Sequence, residues 1–485
     1  MDKRNRLPSP LWIAIGVCCI AFVGDSVYRA AAFPMTHDES LSYAIYGWDH
    51  SWAATANNHV LNTQLMRLCA RLFGSSELAV RLPNIVAQFF YLGAVLTLLS
   101  RVHRALLVPA FAILTLNLFQ FDYFAMARGY GLEFACLAVS LAFFVRAVDG
   151  KEDGTPSLTW FGCSLIAGAG ATLANFSAFY VYVALCVVSA WLMVTDETHV
   201  RPRRGGWIPV VSILGSAGLW FLAIVFRASQ MQQDHMFYEG GSRGFFSDTV
   251  VTLVQGSFFA PSPDEGAVRG VALAAVIGVG LFAALAAWSA WRMRRIATVP
   301  VLLGAMLLVA ILLPVAQHAL TGFLLPIGRQ AIYYVPLTWL MVIFAADAGM
   351  ASLGRSRSAN ATPLWIVAIA VTWLFAAAFS PLRCYSCYTD RHIKEVLATL
   401  DADRQKAFPG EQIALRNTWE LEPLINFYRV TRGLVWLEPA NRDPVEVRNN
   451  QYIYGVARDL TPIETVPHVV IASFSDSGTA LWRVR

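Results

Sequence analysis

Eleven stretches of the chain are each apolar over about 20 residues, the length needed to cross a lipid bilayer, and no other feature limits its possible folds as much. They are centred near Ile20, Tyr91, Ile113, Val139, Ile166, Cys186, Leu219, Gly280, Val309, Leu340 and Thr372, those near Ile113 and Ile166 being the shortest. Composition points the same way. Of 485 residues, 56% are hydrophobic and only 14% charged, outside the range of ordinary soluble domains. The chain therefore reads as a polytopic α-helical membrane protein. Its first stretch, residues 11–33, is too long for the apolar core of a signal peptide, and no small-residue cleavage pattern precedes "THDE"; it is expected to remain as a helix.

Charge sets the expected orientation. The basic clusters "KRNR", "RVHR", "RAVDGK", "RPRR", "RMRR" and "GRSRS" fall in alternate connections, all on the side of the N-terminus, and the excess of Lys and Arg places that side in the cytoplasm. Eleven spans then leave the C-terminal residues outside. Residues 381–485 hold 13 Lys+Arg and 13 Asp+Glu, so the net charge of +5 lies in the membrane part, where it reports topology rather than a nucleic-acid partner.

Three segments remain on the outer face: 34–77, 228–267 and 381–485. In the first, "LNTQLMRLCARLF" repeats Leu61, Leu65, Leu68 and Leu72 at helical spacing, which predicts a helix on the membrane surface. The last alternates a helical stripe (Ile393, Val396, Leu397, Leu400), the strand-like "QIALRN", a helix through "EPLINFYRV" and the strand-like "HVVIASF" and "ALWRVR". That pattern predicts a small extracytoplasmic α/β domain over 381–485, after a transmembrane domain over 1–380. Six of the eight cysteines lie in or near apolar stretches and read as packing residues. Cys384 and Cys387, in "RCYSCY", would face an oxidising compartment, either bridged or as two thiols.

Chemistry-bearing residues collect at the same face. Asp38 and Glu39 in "FPMTHDESLSY" follow the first span directly. One reading makes them interfacial carboxylates, with Thr36 and Glu39 capping a helix. The other makes one of them a general base that meets a lipid-borne substrate at the membrane surface. Two neighbours on a helix point about 100° apart, so they would not share one role. Asn57, Asn58 and His59 follow in the same loop, Asp122, Arg128 and Tyr130 lie in "FDYFAMARGYGLEF", and Arg329 and Tyr333 in "IGRQAIYYVP". Carboxylates, a His and two Arg at one face suit a reaction with an anionic, membrane-held leaving group.

The motifs "THDESLSYAIYG", "NNHVLNTQLMRLCARLFGSSELAVRLPN", "ARGYGLEF", "GRQAIYYVPLTWLMVIFAADAG" and "CYSCYTDRHIKEVL", in this order, resemble the polyprenyl-phosphate-sugar-dependent glycosyltransferases of the GT-C fold. That family includes the protein mannosyltransferases and the aminoarabinose transferase of lipid A. The resemblance implies that Asp38 is the catalytic base and Glu39 its acidic neighbour in the catalytic pair. It places His59, Arg128, Tyr130, Arg329 and Tyr333 around the donor phosphate. Relatives carry a Pro-Pro pair after the position of His59, and Val60 and Leu61 stand there in this chain. The implied partners are a polyprenyl-phosphate-linked sugar, a lipid or protein acceptor such as lipid A or another envelope glycan, and membrane lipids. No nucleotide, cofactor or obligatory metal is expected. The implied location is the bacterial inner membrane, with the N-terminus cytoplasmic.

A transporter or lipid flippase is the competing class. It predicts ionisable groups deep within spans and symmetric halves. The candidates for that role are Asp25 with Arg29, Glu133, and Gln317 with His318; they lie mainly toward the outer ends, and Asp25 with Arg29 is spaced as a local i,i+4 ion pair.

Overall fold

The computed structural model describes residues 9–49, 58–149, 157–195, 208–233, 239–259, 264–294, 298–353, 361–381, 390–441, 450–456 and 467–484. Cys384, Cys387 and Asn57 lie outside these residues. Helix α1 (Ser9–Ala32) is followed by α2 (His37–Gly47), α3 (Val60–Phe73), α4 (Glu77–Leu99), α5 (Leu107–Thr115), α6 (Leu118–Phe124) and α7 (Gly129–Asp149). Then come α8 (Ser157–Ala174), α9 (Phe179–Thr195), α10 (Ile208–Gln233), α11 (Val251–Phe258), α12 (Glu265–Met293), α13 (Val299–Thr321), α14 (Tyr334–Leu353) and α15 (Thr362–Ala378). Helices α16 (Ile393–Ala407) and α17 (Glu422–Thr431) alternate with strands β1 (Leu415–Asn417), β2 (Tyr452–Val456), β3 (His468–Phe474) and β4 (Thr479–Val484).

Among the described residues, eight helices are long and apolar enough to cross a membrane. The three other apolar stretches take shapes that length alone would not pass. The one near Ile113 is a pair of helices bent by 62° between Thr115 and Leu118, and those near Ile166 and Thr372 are the shorter helices Leu158–Ala174 and Thr362–Ala378. Asn117 makes the bend a designed break, because its side chain accepts from the Phe119 N–H and starts a new helix.

The C-terminal strands form one mixed sheet in the order β1-β2-β4-β3, with β1 parallel to β2 and the rest antiparallel. Strand β2 carries "YIYGV", which the sequence reading passes over, and all five of its residues are buried. The stripe Ile393, Val396, Leu397 and Leu400 packs into a core that also takes Met35, Met66, Val80 and Ala127 from the helical bundle. The α/β unit is thus seated on the bundle end where α2 and α3 begin.

Helix α3 forms where the leucine spacing predicts it. It buries Asn62, Thr63 and Met66 against the protein and leaves Leu68, Leu72 and Phe73 exposed, the arrangement of a surface helix whose apolar side meets lipid. Arg29 forms the expected i,i+4 ion pair with Asp25, at 3.8 Å, and adds a closer one with Asp122 of α6. Asp122 is as buried as Arg29, and the two charges compensate each other away from water. Asp122, grouped by sequence with Arg128, is therefore committed to holding α6 against α1.

Candidate functional site

Asp38 sits in the first turn of α2, and the turn is built to hold it still. Thr36 caps the helix: its hydroxyl accepts from the Glu39 N–H, and the Glu39 carboxylate accepts from the Thr36 N–H at 2.9 Å. The buried Glu39 side chain is also gripped by Arg81 of α4, with Nε donating to Oε1 at 2.8 Å and Nη2 to Oε2 at 2.6 Å. Arg81 spends its other N–H groups on the carbonyls of Ala30, Phe33 and Pro34 at the end of α1. One arginine thereby ties the exit of the first helix to the start of the second.

The same carboxylate sets the second wall. Glu39 Oε1 accepts from the Ala127 N–H at 2.5 Å. The Ala127 carbonyl accepts from Asn62, whose own Oδ1 accepts from Asn84. Arg128 follows directly. Gly129 and Gly131 let the start of α7 approach its neighbours closely, since a Cβ on Gly129 would lie 1.7 Å from the Ala174 carbonyl oxygen and one on Gly131 would lie 2.6 Å from that of Tyr123.

Arg329 comes from the far end of the sequence, on a short 3-10 turn (Gly328–Ala331). Gly328 has φ +46, a backbone region that favours glycine, and its N–H donates to the Thr252 hydroxyl at 2.7 Å.

These elements converge on one oxygen. Asp38 Oδ2 lies 2.9 Å from Arg128 Nη2 and 2.9 Å from Arg329 Nη1. Arg128 is only 3% exposed, Asp38 20% and Arg329 33%, so the cluster opens on the Arg329 side. Glu239 stands 3.5 Å from Arg329 there. Behind Arg128, the Tyr130 ring lies 5.8 Å from its guanidinium carbon and 5.4 Å from the His59 ring. Burial holds the His59 imidazole well below its ordinary range; the Arg128 cation adds to this, and Asp38 acts in the opposite sense. Tyr333 is wholly buried, its ring tilted against those of Tyr334 at 4.4 Å and Tyr180 at 6.2 Å.

The structure thus brings Asp38, Arg128, Tyr130, His59 and Arg329 together. Glu39 is set apart inside the Arg81 network. Sequence reasoning missed Arg81, although a single charge inside the apolar run "ELAVRLPN" was a signal. It also missed Asn62, Asn84 and Glu239. Among the described residues no group of three or more His, Cys, Asp or Glu side chains is placed to hold a metal ion.

The α/β unit reaches the same turn. Tyr428 Oη accepts from the Met35 N–H at 3.0 Å, and Asp390 accepts from the His37 N–H at 2.9 Å. His37 also bonds the Glu420 carbonyl and packs edge-on against Trp419. Both residues flanking Thr36, Met35 and the His37 that directly precedes Asp38, are therefore held by the C-terminal unit.

No protein-family model matches the sequence, nor does any curated protein. Solved structures do. ArnT from Cupriavidus metallidurans in the apo state superposes with a TM-score of 0.54 over 98% of both chains, at 12% sequence identity. The same protein bound to undecaprenyl phosphate gives 0.52, again over 98% of both chains at 12% identity. The chain has the GT-C fold, as its motifs lead one to expect.

Proposed function

We propose that this chain is an integral-membrane glycosyltransferase that moves a sugar from a polyprenyl-phosphate carrier to an extracytoplasmic acceptor, with inversion at the anomeric carbon. The acceptor is lipid A or another envelope glycan, or else a secreted protein. The enzyme lies in a bacterial inner membrane with its N-terminus cytoplasmic and the α/β unit outside. The observation that carries this reading is the single Asp38 oxygen held between two arginines at the start of α2. The GT-C fold, and the undecaprenyl phosphate bound by ArnT, support it.

In the reaction, the acceptor hydroxyl or amine gives its proton to the Asp38 carboxylate while its oxygen or nitrogen bonds to the anomeric carbon. The bond from that carbon to the phosphate oxygen breaks, and the electron pair leaves with the phosphate. The carrier changes from a phosphodiester monoanion to a phosphomonoester that gains negative charge as it leaves. Arg128 and Arg329 stabilise that charge as it develops, which lowers the barrier more than it tightens ground-state binding. A phosphate brought to them competes with Asp38 for the same N–H groups, so donor binding loosens the carboxylate as it is needed. Glu39 is assigned the supporting role of fixing Asp38 and Ala127 in place.

The test is direct. Purified protein, given undecaprenyl-phosphate sugars and envelope glycolipid, should release undecaprenyl phosphate and yield a heavier glycolipid by mass analysis. Envelope glycolipids of identical mass with and without the gene, together with no transfer to protein, would overturn the reading.

A further inference from the structure

The first turn of α2 takes part of its support from the far end of the chain. A helix start leaves its first N–H groups without partners inside the helix. Here Thr36 and Glu39 serve each other, and the His37 N–H donates to Asp390 Oδ2 at 2.9 Å. Asp390 is 353 residues away in sequence and only 4% exposed. The bond fixes the backbone one residue before the proposed base.

Docking of the α/β unit does not require this carboxylate. Met35 is wholly buried in a core with Leu424, Ile425 and Tyr428. The Tyr428 hydroxyl accepts from the Met35 N–H and donates to Glu77 Oε1, at 3.0 Å each, and Lys394 Nζ lies 2.8 Å from the same Glu77 oxygen. Tyr43 of α2 meets Phe427 of α17 edge-on at 5.1 Å. Burying a carboxylate is costly, whereas water can satisfy an N–H at a helix start. Asp390 therefore needs a reason beyond seating the unit.

The reason lies in the next residue. Two guanidinium groups draw on Asp38 Oδ2 at 2.9 Å each, while His37 is held at its backbone by Asp390 and at its ring by the Glu420 carbonyl and Trp419. A carbonyl can only accept, so the His37 ring donates from Nδ1. The bundle's arginines thus hold one residue of the turn and the α/β unit holds its neighbour. A reacting group displaced by about 1 Å can lose about a hundredfold in rate, so such a turn gains from a fixed anchor.

We infer that Asp390 is a positioning residue for transfer: through the His37 N–H its carboxylate keeps Asp38 where the acceptor proton must be taken, and the site is complete only with the α/β unit seated on the bundle. This rests on the glycosyl-transfer reading and deepens it with a residue that touches neither donor nor acceptor.

The experiment uses the full-length protein in lipid nanodiscs with an undecaprenyl-phosphate sugar. Asp390→Ala should lower kcat about 10–100-fold and leave KM for the carrier within about twofold, because the arginines that meet the phosphate stay in place. Asp403→Asn weakens a pair with Arg483, 3.0 Å apart inside the same unit; it should lower the melting temperature and keep kcat. The donor side supplies a second pair of variants should Asp390→Ala fail to fold. Thr36 is extended, with ψ 164, so proline fits at the first helical position while removing the N–H. His37→Pro should match the loss in Asp390→Ala, and His37→Ala, which keeps the N–H, should lose less. Hydrogen exchange needs no transfer assay: amides of residues 37–39 should exchange about tenfold or more faster in Asp390→Ala than in wild type or Asp403→Asn. Wild-type kcat in Asp390→Ala, a carrier affinity that falls in step with kcat, equal losses in His37→Pro and His37→Ala, or unchanged exchange would each overturn the inference. Wild type that transfers no sugar would instead overturn the glycosyl-transfer reading, and exchange would still decide whether Asp390 holds the turn.

Discussion

Asp38 and Glu39 are adjacent in the chain, yet the regions they anchor are opposite in kind. The Glu39 region is closed: one carboxylate meets one guanidinium, both are buried, and all five N–H groups of Arg81 have acceptors. The Asp38 region is open. There one oxygen is shared by two cations, and Arg329 is one-third exposed with a second carboxylate at its edge. A closed, fully paired carboxylate suits a geometric role; two guanidinium groups that share one oxygen, one of them open to the surface, suit an incoming anion. The helical step between the two residues is what separates the roles.

The largest test of this division is Asp38→Asn. Transfer should fall by a factor of about 10²–10⁴, the usual contribution of a general base, while the melting temperature stays near wild type. Glu39→Gln should do the reverse in kind. Breaking a buried pair from one side costs about 3–5 kcal/mol, so this variant should unfold at lower temperature and accumulate poorly in membranes, with activity per folded molecule largely kept. If Glu39→Gln folds as well as wild type and is as inactive as Asp38→Asn, the two residues have been assigned the wrong way round.

The division was half legible in the sequence. The "THDE" string predicts the capping box, which forms, and the helical stripe at Ile393 to Leu400 predicts a helix that forms. Apolar run length locates the spans because the bilayer imposes it. Run length does not show that the stretch near Ile113 breaks at Asn117. Nor could local spacing pair Arg29 with Asp122, or Arg81 with Glu39, since such partners are chosen by three-dimensional burial. The strand "YIYGV" escaped notice because a wholly buried strand shows no alternation. That Asp38, Arg128 and Arg329 share one face was readable from topology and from the family resemblance, but their meeting on one oxygen was not; across 291 residues no periodicity connects the first with the last.

A smaller effect separates the two arginines of the open region from the one in the closed region. Arg128→Ala and Arg329→Ala should each lower turnover by about 10–100-fold, as expected for a charge-assisted contact that strengthens toward the transition state. Lys at either position should recover part of the loss, because a point charge attracts phosphate but lacks the two parallel N–H donors of arginine. Turnover should fall together with carrier affinity. A rise confined to the Michaelis constant would mean that the arginines hold the donor without stabilising its leaving group. Arg81→Lys should instead appear as lost stability.

The smallest effect concerns His59, which sits between the regions and should behave as part of the open one. Its imidazole is held well below the ordinary 6.5, by burial first and by Arg128 next. A folded-state value below the unfolded one means that the unfolded chain binds the proton first as pH falls. The stability His59 contributes is therefore complete above about pH 6.5 and is lost progressively below it, down to the depressed folded-state value, with a slope of at most about 1.4 kcal/mol per pH unit. His59→Gln should flatten that part of the profile relative to wild type, which isolates this residue from the other histidines. Bound phosphate reverses the local charge. An anion beside His59 favours the imidazolium, so wild type should bind undecaprenyl phosphate more tightly as pH drops from 7.5 to 6, and His59→Gln should lose this gain. Parallel binding profiles for the two proteins would remove His59 from the phosphate's surroundings and leave it as a buried ring against Tyr130.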